Sequence, residues 1–234
     1  MLSAQGLEIT FNPGTPIENR VLRGLDLTIP TGQFVTVIGS NGAGKSTFLN
    51  AVSGDLMVDR GSIRIDGQDV TAKCAWQRSD QVARVFQDPM AGTCEALTIE
   101  ENMALAWKRG ARRGFHFSLN RTLRELFREK LSLLKLGLEN RLADRIGLLS
   151  GGQRQAVSLL MASLQPSRIL LLDEPTAALD PKTAGFVLEL TAKIVEANLD
   201  FSRELGSVWS VQSNQYVDAF DPDKLVRSLP QEPA

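Results

Sequence analysis

The most informative part of this chain reads Gly39-Ser40-Asn41-Gly42-Ala43-Gly44-Lys45-Ser46-Thr47, which matches the pattern G-x-x-x-x-G-K-[ST]. The apolar, β-branched residues 34–38 before it predict a buried strand, and residues 45–53 predict a helix that stops at Gly54. Glycines at the first, fourth and sixth positions let backbone N–H groups approach phosphate oxygens, and a helix N-terminus favours negative charge. The stretch therefore predicts a strand, a loop that wraps a phosphate chain, and a helix.

The two side chains after the last glycine of this loop have separate expected roles. We expect Lys45 to contact the β- and γ-phosphates of a nucleotide, and the hydroxyl of Ser46 to bind Mg²⁺. The alternative is an ordinary glycine-rich turn before a helix, since the four fixed positions arise by chance about once in a hundred chains of this length. The motifs farther along the chain favour the nucleotide site.

Composition narrows the class of protein. The chain has 234 residues, 43% of them hydrophobic and 23% charged, which is typical of a soluble globular protein. The net charge of −1 argues against nucleic acid as the main partner, because binding to a phosphate backbone requires clustered positive charge. Cys74 and Cys94 have no metal-ligand spacing and predict a reducing, cytoplasmic compartment. No apolar run approaches the roughly 20 residues that span a bilayer, so any membrane part is expected from another chain.

Hydrophobic periodicity divides the chain into β-rich and helical parts. Short strands are predicted at residues 7–11, 22–29, 62–66 and 82–86. Helices are predicted from 98 to about 109, from 118 to about 136, from about 154 to 164, and from 183 to 197. The first of these helices has a capping box formed by Thr98 and Glu101.

Two adjacent carboxylates, Asp173 and Glu174, follow the apolar run 169–172. Such a run predicts a central parallel strand, and the C-terminal edge of that kind of sheet is where ligands bind. A phosphate-binding loop needs an acidic strand end to help hold Mg²⁺, and Asp173 supplies it. Glu174 is then expected to orient or polarise the attacking water.

Two further features each allow two interpretations. Phe11 lies where an exposed aromatic ring could stack on a nucleotide base, but a half-buried strand residue is an equally good interpretation. The basic run 108–113, with the only histidine, His116, nearby, is more typical of a solvated face than of contact with acidic lipid head groups or a partner.

The order of these motifs over residues 1 to about 198 resembles that of the nucleotide-binding subunit of an ATP-binding-cassette (ABC) transporter. The resemblance rests on the Walker A loop 39–47, the Q-loop glutamine Gln87, the signature Leu149-Ser150-Gly151-Gly152-Gln153, the Walker B strand 169–174 and the D-loop Ala178-Leu179-Asp180. The signature is the specific motif, because other P-loop families lack it. The family implies an α/β fold: a P-loop NTPase core with a mainly parallel sheet, a small antiparallel β subdomain and an inserted α-helical subdomain.

The resemblance also implies a role for each matching residue. Lys45 resembles the lysine that grips phosphate, and Ser46 and Gln87 resemble Mg²⁺ ligands beside Asp173. Glu174 resembles the catalytic carboxylate, and Gln87 also couples the site to the partner. ATP and Mg²⁺ are the implied cofactors.

The signature implies a second subunit. Ser150 and Gly152 match positions that contact the γ-phosphate held by the opposite cassette, and Gly151 and Gln153 complete that motif. The active form is therefore expected to be a head-to-tail homodimer or heterodimer with two ATP molecules at its interface. Residues 1–88 and 166–198 are expected to form the ATP-binding core and 89–165 the helical signature subdomain. The latter would dock a membrane permease on the inner face of the cell membrane.

The tail, residues 199–234, departs from the family. At this point the family has an apolar strand that ends in a switch histidine, whereas the tail of this chain contains no histidine. We interpret the tail as truncated, shifted out of its ancestral frame, or diverged. The alternative is a helix extending to Leu205 and capped at Gly206, then a strand Val208-Trp209-Ser210-Val211 with Gln212 in the switch position.

Three functions follow from these observations. The first is an ATP-binding and hydrolysing subunit that energises import or export through a separate permease, which sets the substrate. The second is an ATP-binding subunit whose hydrolysis is impaired by the missing histidine and C-terminal strands. The third is a soluble non-transport ABC ATPase acting on nucleic acid or in cofactor assembly, which the charge and the single cassette disfavour.

Overall fold

The computed structural model describes residues 1–111 and 119–173, Gly185, Glu189, and the backbone of 207–213. In chain order the elements are β1 Leu2–Phe11, β2 Asn19–Ile29, β3 Phe34–Gly39, α1 Lys45–Ser53, β4 Arg60–Ile65, β5 Gln68–Asp69, α2 Ala75–Arg78, β6 Val82–Val85, α3 Ile99–Trp107, α4 Arg121–Ser132, α5 Gly151–Ser163, β7 Ile169–Asp173 and β8 Ser207–Ser213. Two single turns of 3₁₀ helix, Leu138–Asn140 and Ile146–Leu148, lie between α4 and α5.

An antiparallel sheet has the strand order β2-β1-β4-β5. Alternate residues of β1 are buried, as expected for a strand with one face on the core: Leu2, Ala4, Leu7 and Ile9. The register shifts between Ala4 and Leu7 on pairing with β2, at Gly6, which has a positive φ. Gly61 of β4 approaches this irregularity so closely that a Cβ there would overlap the carbonyl oxygens of Gln5 and Gly6. Only glycine fits that position.

A second sheet has the strand order β3-β8-β7-β6, and its β3–β8 and β8–β7 pairs are parallel. All five residues of β7 are buried, because a central parallel strand is covered on both faces. Strand β8 lies between the strand that precedes the phosphate loop and the strand that ends in Asp173. The alternative interpretation of the tail is therefore confirmed for the strand itself, which extends from 207 to 213 rather than from 208 to 211.

Capping explains where the helices differ from their predicted bounds. Helix α4 begins at Arg121 rather than 118, because the Asn120 side chain accepts a hydrogen bond from the Leu123 N–H at 2.8 Å. Helix α5 begins at Gly151 rather than about 154, because Ser150 caps it. The four-residue helix α2 was not predicted, and the helix expected at 183–197 lies outside the described residues apart from Gly185 and Glu189.

The chain divides into two units. The first comprises residues 1–83, 167–174 and 201–234, and the second comprises 84–166 and 175–200. In the first unit the antiparallel sheet, β3, α1 and β7 share one apolar core, in which Leu7, Leu49 and Leu171 are fully buried. The predicted partition at 88/89 and 165/166 stays a prediction.

Helices α3, α4 and α5 form the second unit around their own apolar core. Its fully buried members include Ile99, Met103, Phe127, Leu131, Leu138 and Ile146. On the surface of this unit, Arg124 of α4 forms an ion pair with Glu100 of α3 at 2.8 Å. Within the described residues, no helix is both long enough and apolar enough to cross a bilayer.

Candidate functional site

The loop between β3 and α1 has the geometry of an anion-binding turn. Gly42 and Gly44 adopt positive φ angles of 83° and 89°, which L side chains rarely tolerate. A Cβ at Gly44 would also lie 2.8 Å from Cγ1 of Val21. Helix α1 starts at Lys45, and its N-cap Gly44 provides no capping side chain, so the first N–H groups of the helix are oriented toward an incoming anion.

The side chain of Lys45 is only 7% exposed and folds back over the loop. Its Nζ donates to the carbonyl oxygens of Gly39 at 2.7 Å and Ser40 at 3.0 Å. Carbonyl oxygens orient the ammonium group without neutralising it. The loop therefore holds a positive charge beside the N-terminus of α1, where the helix dipole also favours a phosphate.

Ser46 and Asp173, the two candidate metal ligands of the first unit, lie next to each other. The Ser46 hydroxyl donates to Oδ1 of Asp173 at 3.4 Å, and this carboxylate, at the end of β7, is 6% exposed. Hydroxyl and carboxylate oxygens suit Mg²⁺, which usually takes one or two carboxylates together with substrate phosphates. Among the described residues, no group of three or more His, Cys, Asp or Glu side chains could hold a metal. The hydroxyl of Ser46 and the carboxylate of Asp173 fit a Mg²⁺ ion whose other ligands include substrate phosphates.

A cleft of about 550 Å³ lies along β2 beside the loop. Its lining includes Asn19 and Val21 of β2 and Gly42 and Ala43 of the loop. Phe11 pairs with Asn19 in the sheet and is 39% exposed. Phe11 is therefore the last residue of β1 and is partly exposed, which is compatible with both interpretations. Its contact with a base remains a prediction.

The signature residues form the capped start of α5. Oγ of Ser150 accepts from the Gln153 N–H at 3.3 Å, and Oε1 of Gln153 accepts from the Ser150 N–H at 3.2 Å. This reciprocal pair is a capping box. A Cβ at Gly151 would meet nothing within 4 Å, so the helix start is open to an approaching group. This arrangement is available for the predicted contact with another subunit.

The other predicted site residues fall into two groups. Gln87 is exposed and lies two residues after the end of β6, in the second unit together with the signature. Glu174, the D-loop 178–180 and His116 lie outside the described residues.

One residue that sequence reasoning missed holds the C-terminal end of α1, the helix that follows the loop. Arg78 of α2 is 1% exposed, and its Nη1 donates to the carbonyl oxygens of Ala51 at 2.7 Å and Val52 at 2.8 Å. Its Nε donates to Lys73 at 2.7 Å, and burial lowers the pKa of Arg78. The guanidinium thus binds the last turn of α1, where a cation complements the helix dipole. A single arginine in a short polar stretch carries no sequence signal for this role.

This fold and this site define a P-loop nucleotide-binding protein: a parallel sheet with a phosphate loop after β3 and an acidic residue at the end of β7. Comparison with protein-family models identifies the family within this class. The family model described as "ABC transporter" matches residues 22–177. The chain therefore belongs to the ABC transporter family.

Individual relatives agree with this assignment. The "Tyrosine transport ATP-binding protein" of Clostridioides difficile (strain R20291) is 44% identical over 197 residues, which cover 83% of this chain and 77% of that protein. The "Lipoprotein-releasing system ATP-binding protein LolD" of Ruegeria pomeroyi is 37% identical over 201 residues, covering 83% and 82%.

A solved structure with the same fold is the ATP-binding cassette MJ0796 in a dimeric post-hydrolysis state bound to ADP and Pi. The TM-score is 0.73 at 28% identity, and the match covers 90% of this chain and 87% of that one. The predicted family and α/β fold are confirmed. The chain is an ATP-binding subunit of the ABC transporter family, and its class is ATPase.

Proposed function

We propose that this chain binds Mg²⁺-ATP at the loop 39–47 and Asp173 and hydrolyses it to energise a separate membrane permease. The observation that carries the proposal is the contact between Ser46 and Asp173, which joins two motifs 127 residues apart. It places a carboxylate beside the hydroxyl at the uncapped start of α1. Mg²⁺ held there would neutralise charge on the β- and γ-phosphates.

The chemistry assigned to the protein is mainly positioning. Lys45 and the backbone N–H groups of the loop hold the phosphates, and Phe11, whose strand partner Asn19 lines the cleft, stacks on the base. Glu174 orients a water for in-line attack on the γ-phosphorus and accepts its proton as the bond to the ADP oxygen breaks. The role of Gln87 as a further Mg²⁺ ligand stays a prediction from the family resemblance.

Strand β8 supports a role for Gln212 in the same site. Gln212 pairs with Ile38 in the sheet, and Val211 before it pairs with Asp173. Gln212 thus stands one position beyond the acidic strand end, at the edge where parallel sheets bind ligands. We assign it the place of the family's switch histidine. Because glutamine offers different hydrogen-bonding chemistry, hydrolysis is expected to be slower than in cassettes with histidine, by about 10²–10³-fold if the positioned group is effectively lost.

The assembly proposed is a head-to-tail dimer in which Ser150–Gln153 of one subunit covers the ATP of the other. The dimeric state of the matching solved cassettes and the capped, open start of α5 support it. The names of the relatives, which are ATP-binding proteins of transport and lipoprotein-releasing systems, support a permease as the membrane partner. We assign the chain to the cytoplasmic face of the membrane on the same grounds. The transported substrate is a property of that permease.

Size-exclusion chromatography of the Glu174→Gln variant tests this proposal. The substitution keeps the shape of the side chain and removes the carboxylate, so ATP is trapped and a dimer should elute only in the presence of Mg²⁺ and ATP. A variant that binds ATP by calorimetry and stays monomeric would contradict the dimer. Turnover of the unmodified chain at about 1–10 per second, as in an efficient enzyme, would contradict the impaired hydrolysis.

A further inference from the structure

The end of the β1–β2 hairpin brings Phe11 and Asn19 side by side. Ile9 and Phe11 are two residues apart in β1, so their side chains lie on one face of the strand. Ile9 is 2% exposed and pairs with Leu22, whose Cδ2 would lie 3.4 Å from a Cβ at Gly44. This face is therefore the one against which the phosphate loop packs. Asn19 pairs with Phe11 and shares this face, because side chains directly opposite each other in an antiparallel pair lie on the same side.

A bulge in β2 determines which residue lies opposite Phe11. The register of β1 against β2 shifts between residues 9 and 10, and this shift leaves Val21 as an extra residue of β2. With regular pairing, Phe11 would lie opposite Arg20 instead of Asn19. Bulges redirect side chains and are common beside functional sites. Here the bulge places a neutral amide, rather than a guanidinium, beside the aromatic ring.

The loop 12–18, which joins the two strands, is held by its own hydrogen bonds. The carbonyl oxygen of Asn12 accepts from the N–H of Thr15 at 3.3 Å and from its hydroxyl at 2.8 Å. Oε2 of Glu18 accepts from the N–H of Gly14 at 2.7 Å, and this bond is the main reason why the pKa of Glu18 is lowered. A loop closed in this way keeps the two strand ends together. The side chains at the hairpin end are therefore positioned before a ligand arrives, which reduces the cost of binding.

The amide of Asn19 is available for a ligand. The side chain is exposed, lines the cleft beside the phosphate loop, and has no hydrogen-bond partner among the described residues. The polar groups around it are paired: Arg20 lies 3.4 Å from Glu18 in an ion pair, and Nε of Arg23 donates to the carbonyl oxygen of Arg20 at 3.0 Å. An asparagine side chain offers a donor and an acceptor next to each other.

A donor next to an acceptor is the pattern that recognises one edge of adenine. Along its N6–N7 edge, adenine presents an amine donor beside a ring-nitrogen acceptor, and an asparagine amide binds both. Guanine presents two acceptors, O6 and N7, along the same edge, so no orientation of the amide satisfies both. An aromatic ring does not discriminate in this way, because every base has a face that stacks. The ring of Phe11 alone would therefore bind any nucleotide.

We propose that Asn19 is a specificity-determining residue that binds the N6–N7 edge of adenine and makes the site selective for ATP over GTP. This inference rests on the proposed function, in which the triphosphate occupies the loop 39–47 and Phe11 stacks on the base. The selectivity should be about tenfold, toward the lower end for a bidentate base contact, because Asn19 is exposed to water.

Calorimetric titration of the full chain with Mg²⁺-ATP and Mg²⁺-GTP tests this inference. The parent carries Glu174→Gln, so that neither nucleotide is consumed. Adding Asn19→Leu, which keeps the shape of the side chain, should weaken ATP binding about tenfold and leave GTP binding nearly unchanged. Because both affinities are measured on the same chain, a smaller folded fraction would not change their ratio. An ATP-to-GTP affinity ratio that is the same in the parent and in Asn19→Leu would overturn the inference.

A modified nucleotide tests the contact at the level of one atom. In 7-deaza-ATP a C–H group replaces N7, so it should bind the parent more weakly than ATP and bind Asn19→Leu as well as ATP does. Equal affinity of the parent for ATP and 7-deaza-ATP would overturn the inference.

Two further variants separate this inference from the proposed function. Gln5→Leu removes an exposed amide from β1 outside the cleft and should keep the ATP-to-GTP ratio of the parent. Phe11→Ala should weaken the binding of both nucleotides by a similar factor, because stacking does not depend on the base. A parent that binds neither nucleotide would contradict the proposed function, whereas a parent that binds ATP and GTP equally well would overturn the inference alone.

Discussion

At the scale of single residues, the site depends on conformations that few side chains allow. Gly44 combines a φ of 89° with a close approach to Val21, and Lys45 directly after it is buried against backbone carbonyls. The sequence pattern singles out both residues, because a glycine followed by a lysine at this spacing is typical of a phosphate-binding loop. It did not show that the lysine is already folded over the loop.

The Lys45→Ala substitution should weaken ATP binding. It removes a charge-assisted contact to the phosphates, which corresponds to a loss of about 10- to 100-fold in affinity. Isothermal titration calorimetry with Mg²⁺-ATP measures this, with Lys130→Ala on α4 as a control for the change in net charge. Unchanged affinity in Lys45→Ala would mean that residues 39–47 are not the phosphate site.

At the scale of elements, side chains at the helix ends determine which terminal backbone groups are hydrogen-bonded. Helices α3, α4 and α5 begin with capping side chains, whereas α1 begins with a glycine and ends against the buried guanidinium of Arg78. Helix α1 is therefore held at its C-terminus and left open at its N-terminus. That asymmetry is what a phosphate-binding helix requires.

Replacing Arg78 by methionine should destabilise the fold strongly. The buried carbonyls of Ala51 and Val52 lose their charged donor, which is expected to cost about 2–4 kcal/mol. Urea denaturation gives the free energy of unfolding, and Arg64→Met on the exposed face of β4 is the matched control. A loss in Arg78→Met no larger than in the control would show that the guanidinium does not hold α1.

The cap of α3 should be sensitive to acid. The Thr98 N–H and hydroxyl donate to Glu101 at 2.7 and 2.9 Å, and these bonds, the backbone one first, hold the pKa of Glu101 below its ordinary value of 4.5. A lowered folded-state pKa means that this stabilisation is complete above the ordinary value and is lost as the pH falls through the lower, folded one.

The difference in melting temperature between the parent chain and Glu101→Gln isolates this effect. It should stay constant from pH 7 to about pH 5 and shrink below that, because glutamine does not titrate. A difference that does not vary over the acid range would contradict the assignment.

The position of Gln212 in β8 leads to a prediction about the rate of ATP hydrolysis. If Gln212 occupies the switch position beside the end of β7, Gln212→Ala should lower the residual ATPase rate further, and Gln212→His should raise it. Steady-state phosphate release measures both, with Gln165→Ala as the control. Rates that do not respond to either substitution would separate Gln212 from the reaction.

At the scale of the whole molecule, the second unit presents apolar side chains to solvent in the region assigned to permease docking. Met90 is 50% exposed and Leu105 of α3 is 44% exposed. Both lie between residues 90 and 107, in the stretch that follows β6 and includes α3. A surface that binds a partner typically contains such residues among polar ones.

Substituting Met90 or Leu105 by serine should uncouple transport from hydrolysis. ATP binding by the chain should be unaffected, because neither residue belongs to the phosphate loop or the signature, while substrate transported per ATP falls in vesicles containing the permease. Leu133→Ser, directly after the end of α4, is the control, because Leu133 is 62% exposed. Cross-links from the permease to residues 199–234 instead of 90–107 would contradict this docking surface.

Several features of this protein could be predicted from the sequence because they depend on interactions between residues close together in the chain. The phosphate loop, the capping box at Thr98 and the buried strand ending in Asp173 each depend on neighbours a few residues away, so short patterns report them faithfully. The signature could be recognised because its residues form one helix start. Boundaries were less predictable: the start of α4 depends on Asn120, and β1 extends to Leu2 because two partner strands pair with it.

Only the tertiary structure decided the features that join distant parts of the chain. The position of β8 between β3 and β7 depends on pairing across more than 170 residues of sequence to β3, which no local pattern encodes. The burial of Arg78 against the last turn of α1 and the hydrogen bond from Gln155 to the carbonyl oxygen of Phe86 arise from packing between elements. Such contacts depend on which elements pack together, and local sequence patterns do not encode that packing. The sequence alone therefore determined which chemical groups this cassette has, and the fold determined which of them lie together.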